Sequence, residues 1–363
     1  MGILQPIWNG AFVYQEPVCF SADRDGKPTG GTLLYRPDEI LSVTSFDGSV
    51  FYRPEKDYIL QGRRLLRTEA SRIPYLERSV YGKPFTGAPE AAWFRLPGGE
   101  EYIAVVTDIY RWQVLVTYTH REPWPEFQPE TCGRSLSGSM ERLRAGGDFH
   151  LTFYGDSITA GWEASGCNER VVDVETLREY HASIWHAPYQ PAWAELVTNA
   201  LQARYPQSNI LKTNRAAGGS TVRWGAEHAE ELLSPSRPDL IVMGFGMNNM
   251  QESAEDCRDA ILSIIHTVRR AQPDCEFVLV SPMIPNPEIA GFQNNQLPAQ
   301  QAALYQIASS LEGVCVAPVH SVFQAMAARG KHYLELSGNC INHPNDFSVR
   351  IYAQTVLRTL GVL

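Results

Sequence analysis

The hydrophobic and polar positions of this 363-residue chain follow one rhythm up to about residue 148 and a different one afterwards. In the first part, short apolar runs are separated at short intervals by proline and glycine. Asp47-Gly48, between two such runs, is typical of a β-hairpin turn. The runs that we expect to form strands are 40–46, 50–52, 102–107 and 113–119. Many short strands with turn signals predict a β-sandwich of the jelly-roll type for residues 1–148, with a proline-rich connector over 122–147 that carries a short helix.

From residue 149 onward, strand patterns alternate with helical patterns. The strands are expected at 149–154, 210–214, 239–244, 276–281 and 314–318. The helices are expected at 192–204, 222–233, 254–271, 299–311 and 347–360. In the third helix Ile261, Ile264, Ile265 and Val268 fall on one face. Five βα units predict a doubly wound parallel α/β sheet with helices on both faces, in a second domain over 149–363.

Composition and charge narrow the class of protein. Hydrophobic residues make up 44% of the chain, which is sufficient for a packed core. The net charge is −9, with 31 basic against 40 acidic residues, and no basic run stands out, so we expect no nucleic-acid partner. No apolar run reaches the ~20 residues of a membrane span, so we expect no membrane partner.

The seven cysteines are scattered and form no Cys-x-x-Cys pair. Neither a disulfide framework nor a zinc site is therefore expected. The first residues lack the basic and apolar regions of a signal peptide. Together these features favour a cytoplasmic protein with reduced thiols.

Four segments of the second domain carry residues suited to acyl chemistry. The first three follow predicted strands, which places them at the carboxyl edge of one sheet, where ligands bind in open α/β folds. The fourth precedes the last helix. The segments are Gly155-Asp156-Ser157-Ile158-Thr159, Asn214-Arg215-Ala216-Ala217-Gly218-Gly219-Ser220-Thr221, Gly244-Phe245-Gly246-Met247-Asn248-Asn249 and Asn342-His343-Pro344-Asn345-Asp346.

These residues supply the parts of a serine esterase. Ser157 is the candidate nucleophile, and His343 is the candidate base that removes its proton and later returns one to the leaving alcohol. The backbone N–H groups of Ser157 and Gly219 and the side-chain amide of Asn248 are candidate donors to the tetrahedral oxyanion. At Gly219 we expect a close backbone approach that excludes a Cβ. This chemistry requires no metal and no cofactor.

The four segments resemble the GDSL/SGNH hydrolase family, which is named for Ser, Gly, Asn and His in four blocks. Gly-Asp-Ser-Ile-Thr, Asn-Arg-Ala-Ala-Gly-Gly, Gly-Met-Asn-Asn and His-Pro occur in the family's order over about 149–363. The resemblance implies a flavodoxin-like three-layer α/β/α domain. It also implies roles for Ser157 and His343 as catalytic residues, and for Ser157, Gly219 and Asn248 in the oxyanion hole.

The chain departs from the family pattern at two positions. The third block usually ends in Asp, and this chain has Asn249. The family usually places an acid that orients the histidine three residues before it, and that position is Cys340. Asp346 is an alternative acid, although a helix-capping or first-turn role explains it as well. Some carbohydrate esterases of the family with a β-sandwich in front lack the acid, so a Ser-His dyad is the favoured interpretation.

The loop 162–189 is unusually long and contains Trp162, Tyr180, Trp185 and Tyr189. These rings could form a platform for a sugar or an acyl chain, or pack against the β-rich domain; both interpretations stay open. The favoured function is hydrolysis of short acyl esters, above all O-acetyl groups, on a small-molecule or oligosaccharide substrate. The alternatives are a lipase, lysophospholipase or thioesterase of the same fold, and an inactive glycan-binding protein. For the first domain, a substrate wall, a glycan site and a homo-oligomer contact all stay open.

Overall fold

Antiparallel strands dominate the first 120 residues in the computed structural model, which describes residues 2–84, 93–96, 101–104, 108–132 and 135–363. The strands are β1 Phe12–Cys19, β2 Ser21–Ala22, β3 Pro28–Thr29, β4 Glu39–Ser45, β5 Tyr58–Gln61, β6 Arg64–Arg67, β7 Gly82–Pro84, β8 Trp93–Arg95, β9 Glu101–Ala104 and β10 Gln113–Thr119. They pair in two three-stranded sheets, β1-β10-β4 and β7-β9-β8, and in the pairs β2-β3 and β5-β6. The β-rich, antiparallel character predicted for this region is confirmed.

The predicted hairpin at Asp47-Gly48 forms a turn with little strand beyond it. Ser45 N donates a hydrogen bond to Val50 O at 2.9 Å, which closes the turn. Phe51 then contributes a single bridge to Thr44 instead of the second strand that was predicted. Of the predicted run 102–107, residues 105–107 lie outside the described part of the chain.

Two short helices precede the parallel sheet in the described part of the chain. Helix α1 is Arg78–Tyr81, and helix α2 is Ser137–Ala145. Helix α2 lies within the predicted connector, which therefore carries a short helix as expected. It leads directly into the first strand of the parallel sheet, which begins at Gly147. The division of the chain into domains at 148/149 stays a prediction.

The second half of the chain contains a five-stranded parallel sheet flanked by helices. The strands of this half are β11 Gly147–Gly155, β12 Asn168–Val172, β13 Glu179–Ser183, β14 Ser208–Asn214, β15 Leu240–Gly244, β16 Glu276–Val280 and β17 Val314–Ala317. Strands β12 and β13 form a hairpin outside the main sheet. The helices are α3 Trp193–Arg204, α4 Val222–Leu233, α5 Ala254–Ala271, α6 Leu297–Ser310, α7 Val319–Ala328 and α8 Asp346–Thr359. The strand order β14-β11-β15-β16-β17 is the flavodoxin-like order, so the predicted fold class is confirmed.

The local sequence explains this layered architecture. Strand β16 is buried along its whole length, as expected for a parallel strand covered by helices on both faces. Helix α5 buries Ile261, Ile264, Ile265 and Val268, the four residues that were predicted to share one face. None of the helices in the described part of the chain is long and apolar enough to span a membrane.

Buried ionic contacts join the two halves of the chain. Lys331, from the second half, lies 3.0 Å from Glu16 of β1 and 3.2 Å from Glu335, and all three side chains are fully buried. Tyr118 donates a further hydrogen bond to Glu16 at 2.6 Å. Because a buried charge is costly unless it is paired and hydrogen-bonded, this cluster ties β1 to the segment that precedes α8.

Candidate active site

Ser157 lies in a tight turn directly after β11, at the carboxyl edge of the parallel sheet. Ala160 N donates to Asp156 O at 2.9 Å and Trp162 N donates to Ser157 O at 3.1 Å, which fixes the turn. The serine is only 5% exposed. The turn therefore presents the hydroxyl in a largely enclosed position at the edge where the sequence predicted it.

The segments after β14 and β15 meet the serine turn through backbone hydrogen bonds. Ala217 N donates to Gly155 O at 2.9 Å, and Asp156 N donates to Gly244 O at 3.2 Å. Ser220 Oγ also lies 3.2 Å from Gly155 O. The three strand-end segments that the sequence placed at one edge are thus in direct contact.

His343 reaches the serine from the loop before α8. Its Nε2 lies 2.8 Å from Ser157 Oγ, which is hydrogen-bond distance. Asn339 shapes the loop, because its Oδ1 accepts hydrogen bonds from the backbone N–H groups of Ile341, Asn342 and His343 at 2.9 to 3.1 Å. The hydroxyl and the imidazole that were predicted to act as nucleophile and base are therefore within hydrogen-bond distance.

The N-terminal region supports the loop that carries His343. Gln113, at the start of β10, is buried and donates through Nε2 to Leu334 O at 2.7 Å and to Ser337 O at 2.8 Å. Its Oε1 accepts a hydrogen bond from Asn345 Nδ2 at 3.0 Å. One side chain of the β-rich half thus contacts the chain on both sides of His343, a contribution that the sequence did not reveal.

Gly219 and Asn248, the other predicted oxyanion donors, lie on the segments that meet at Ser157. Asn248 is exposed and directs Nδ2 to Ser220 O at 2.9 Å, which leaves its second amide hydrogen for a ligand. Gly219 has φ +79°, and an added Cβ would meet no atom within 4 Å. The left-handed backbone favours glycine at this position, and the close approach of Gly219 to a bound oxyanion stays a prediction. The oxyanion roles themselves stay predictions.

Asn249, which stands where the family usually has Asp, is buried and has a structural environment. Its Oδ1 accepts from Val222 N at 3.3 Å, at the start of α4, and its Nδ2 lies 2.9 Å from Cys257 Sγ. Gln300 donates to its backbone carbonyl at 2.9 Å. The side chain therefore joins helices α4 and α5 behind the active site.

Neither of the two positions considered from the sequence supplies a free carboxylate oxygen to His343 Nδ1. Cys340 is fully buried in an apolar cluster that includes Cys19 and Tyr81 of the N-terminal region. Asp346 is engaged elsewhere, because its Oδ1 accepts from Ser165 N at 2.9 Å and its Oδ2 from Ser165 Oγ at 2.6 Å. Burial raises the pKa of Asp346, and these hydrogen bonds oppose that increase.

Another carboxylate, which sequence reasoning missed, lies near the second nitrogen of the histidine. Glu163 Oε1 lies 3.8 Å from His343 Nδ1. A sequence signal existed, since Glu163 is the first acidic residue after Ser157 in the loop that follows the nucleophile. Its proximity depends on a backbone conformation with φ +70°, which the sequence did not indicate.

The aromatic residues of the loop 162–189 divide between the two roles that were left open. His186 stacks on Tyr110 of the N-terminal region at 4.5 Å between ring centroids, which is the packing role. Trp162 meets the His343 ring edge to face at 6.0 Å and stays partly exposed. Trp185, 70% exposed, contacts Tyr189 at 5.0 Å. Exposed rings therefore lie both beside His343 and farther along the same loop.

Two carboxylates, those of Asp156 and Glu163, lie close to Ser157 and His343. Among the described residues there is no group of three or more His, Cys, Asp or Glu side chains that could hold a metal ion. Asp156, next to the nucleophile, is buried, and desolvation raises its pKa to about 6, although Ile158 N donates to it at 3.0 Å. The polar groups at Ser157 are thus arranged for proton transfer and hydrogen bonding.

Comparison with known proteins places these segments in a family. Residues 153–348, more than half of the chain, match the GDSL-like lipase/acylhydrolase family. The match begins within β11 and ends within the first turn of α8, so it includes Ser157, Gly219, Asn248 and His343. A search of the curated proteins finds no match.

Several solved structures are similar to this chain at low sequence identity. A two-domain esterase (CEX) active on acetylated mannans, co-crystallised with mannopentaose, is 19% identical with a TM-score of 0.48, over 64% of this chain and 54% of that one. The acetylxylan esterase Axe2 from Geobacillus stearothermophilus is 18% identical with a TM-score of 0.46, over 60% and 96%. LAE5, an alpha/beta hydrolase enzyme from the metagenome of Lake Arreo, Spain, is 20% identical with a TM-score of 0.46, over 61% and 99%. The matched region thus spans about half the length of the mannan esterase.

Proposed function

Because the chain belongs to the GDSL-like lipase/acylhydrolase family and is a carboxylic ester hydrolase, we propose that it removes short acyl groups, above all acetyl, from carbohydrates through an acyl-Ser157 intermediate. The observation that carries the proposal is the 2.8 Å contact between Ser157 Oγ and His343 Nε2. A serine hydroxyl is a weak nucleophile by itself, and a base within hydrogen-bond reach activates it.

In the first half of the reaction, Ser157 Oγ attacks the ester carbonyl carbon while His343 Nε2 takes the hydroxyl proton. The tetrahedral oxyanion receives hydrogen bonds from the N–H groups of Ser157 and Gly219 and from the amide of Asn248. When this intermediate collapses, the carbon–oxygen bond to the sugar breaks and the leaving oxygen takes the proton from His343. Acyl-Ser157 remains.

In the second half, water attacks the acyl-Ser157 carbonyl carbon and gives a proton to His343. The bond to Ser157 Oγ then breaks, the serine regains the proton, and the carboxylic acid leaves. Protonated imidazole cannot accept the serine proton, so activity should fall at acid pH.

The surroundings of Ser157 support a small acyl group and a carbohydrate leaving group. Ala216 and Ala217, beside the serine turn, are small and completely buried, which leaves little freedom for a long acyl chain on that side. Trp162 lies beside His343, and Tyr180, Trp185 and Tyr189 are further exposed rings of the same loop. Tryptophan and tyrosine offer an apolar ring with a polar edge, which suits a sugar that has both C–H faces and hydroxyl groups.

Two measurements test this function together. Hydrolysis of nitrophenyl esters should be fastest for acetate and should decline with chain length, and acetate should be released from acetylated oligosaccharides. Activity that rises beyond butyrate would contradict the acetyl preference and favour the lipase or thioesterase alternative. Complete inactivity on every ester, together with tight glycan binding, would contradict the enzymatic proposal.

A further inference from the structure

His343 Nδ1 is a buried polar atom that faces a carboxylate. It has no hydrogen-bond partner among the described residues, yet Glu163 Oε1 lies 3.8 Å away. The side chains of His343 and Glu163 are only 10% and 16% exposed. An unpaired buried donor is costly, and catalytic hydrogen bonds in ligand-free structures are often long and tighten when substrate binds.

The other acids near the histidine are occupied or differently placed. Both carboxylate oxygens of Asp346 are held by Ser165. Asp156 is buried in the serine turn, where its Oδ1 accepts from Ile158 N. Glu163 is the carboxylate that forms an ion-pair contact with the imidazole among the described residues.

The backbone holds Glu163 at this position. Its φ of +70° is unfavourable for a residue with a side chain, and such conformations persist where the surrounding structure fixes them, often at functional sites. The residues on either side are tied to the serine turn, because Trp162 N donates to Ser157 O at 3.1 Å and Ala164 N donates to Gly161 O at 3.2 Å. Glu163 is thus fixed to the same turn as the nucleophile.

The loop that carries His343 is shaped to accept Glu163. A Cβ added to Gly338 would lie 2.6 Å from Glu163 Cβ, so a larger residue at 338 would displace the glutamate. Gly338 N also donates to His343 O at 2.9 Å, which connects the contact directly to the histidine. The missing side chain at 338 therefore provides the space in which the glutamate approaches the imidazole.

We propose that Glu163 is the positioning residue that accepts a hydrogen bond from His343 Nδ1–H and completes a Ser157–His343–Glu163 triad. The inference rests on the proposed esterase function. A proton held on Nδ1 leaves Nε2 free to accept the proton of Ser157, and the carboxylate stabilises the imidazolium that forms. The carboxylate accepts the hydrogen bond from Nδ1–H, and no proton passes to it. Glu163 lies in the loop that follows Ser157, whereas the family usually has the orienting acid at the position that Cys340 occupies here.

The test compares Glu163→Gln and Glu163→Ala with a matched control, Glu175→Gln, an exposed glutamate of the same loop. With nitrophenyl acetate, Glu163→Gln should lower kcat by about 10²- to 10⁴-fold, as loss of an orienting acid does in other triads. KM should change by less than about threefold, because the interaction acts on the transition state. Glu175→Gln should match the wild type.

Chemical rescue separates orientation from a structural role. In Glu163→Ala, added formate should restore part of kcat in a saturable way, because a small carboxylate can occupy the vacated space beside Nδ1. A residue that only supports the fold would show no such response. Undiminished kcat in Glu163→Gln would overturn the proposal and favour a dyad.

A spectroscopic measurement is independent of turnover and of the folding of the Ala variant. The wild-type protein should show a low-field proton resonance from His343 Nδ1–H that disappears in His343→Ala and shifts in Glu163→Gln. An unshifted resonance in Glu163→Gln would overturn the proposal. Absence of ester hydrolysis in the wild type would instead contradict the proposed function, and the resonance would still report on the Glu163–His343 contact.

Discussion

Gln113 Nε2 lies 2.8 Å from Ser337 O, a contact that joins residues 224 positions apart. Gln113 belongs to β10 of the N-terminal region, whereas Ser337 begins the loop that presents His343. The β-rich half is therefore part of the framework that positions the base. This contact suggests a role for that half in addition to those considered from the sequence.

Gln113→Ala should destabilise the protein and weaken catalysis. The substitution leaves Leu334 O, Ser337 O and the Asn345 amide without this partner, and each unsatisfied buried group costs about 1–3 kcal/mol. We expect a loss of about 2–4 kcal/mol in the free energy of unfolding in urea. Gln61→Ala, at an exposed position of β5, should leave both stability and kcat unchanged. If Gln113→Ala and Gln61→Ala had the same free energy of unfolding and the same kcat, the supporting role of Gln113 would be contradicted.

Asn248→Ala should lower kcat with little effect on stability. The side chain is exposed, so its loss leaves no cavity, but the amide that is expected to donate to the oxyanion is removed. Removal of one such donor costs about 10²–10³ in kcat in other enzymes. Steady-state kinetics on an acetyl ester measures the effect. A kcat within a factor of a few of the wild type would remove Asn248 from the oxyanion hole.

Asp346→Ala should lower the stability of the protein with little effect on kcat. Its two oxygens hold Ser165 N and Ser165 Oγ, so the variant should lose roughly 1–3 kcal/mol of unfolding free energy. The kcat of the folded protein should change by less than about threefold, because the carboxylate touches no catalytic atom. A loss of about 10⁴ in kcat would instead identify Asp346 as the acid that orients His343.

The stability of the protein should depend on pH through Asp156. Burial raises the pKa of this carboxyl from 3.8 to about 6, so the folded protein retains its proton over a range where the unfolded chain has released it. The stabilisation of the folded state by this retained proton is fully present below about pH 4 and is lost as the pH rises through about 6. The side chain of Asp156→Asn does not titrate, so the variant lacks this pH dependence. The free energy of unfolding of the variant minus that of the wild type should therefore increase by up to about 3 kcal/mol from about pH 4 to pH 7. Urea unfolding at several pH values provides the test, and a constant difference would contradict it.

The parallel sheet was predictable because its strands and helices have local signatures. The alternation of strand and helix patterns predicted the five strands, and the predicted helix 254–271 coincides with α5. Helix α7 was missed, since its apolar residues directly follow the apolar strand β17 without a polar break. The hairpin β12-β13 was also missed, because β13 has no apolar run and buries only Ala182. Its attachment to the strand-end segment, where Val172 N donates to Ala216 O at 2.9 Å, is visible only in the structure.

Candidate site residues were predictable where the chemistry lies in motifs next to strands. Ser157 was found in this way and His343 in a motif before the last helix, and the structure brings them together across 186 positions. Glu163 and Gln113 could not be found, because their proximity to His343 or its loop depends on a left-handed backbone and on packing between the two halves. For Gly219, the left-handed backbone that favours glycine is visible only in the structure, and its approach to the oxyanion stays a prediction.

The measurement that tests the account most directly is acetate release by Ser157→Ala beside the wild type, on nitrophenyl acetate and an acetylated oligosaccharide. The hydroxyl is the atom that His343 Nε2 contacts at 2.8 Å, and its removal leaves the turn around Asp156 and Trp162 intact. We expect the wild type to release acetate, and the variant to fold with the same melting temperature and lose at least about 10³-fold in kcat. A correctly folded Ser157→Ala that still hydrolyses both substrates at the wild-type rate would contradict the central claim.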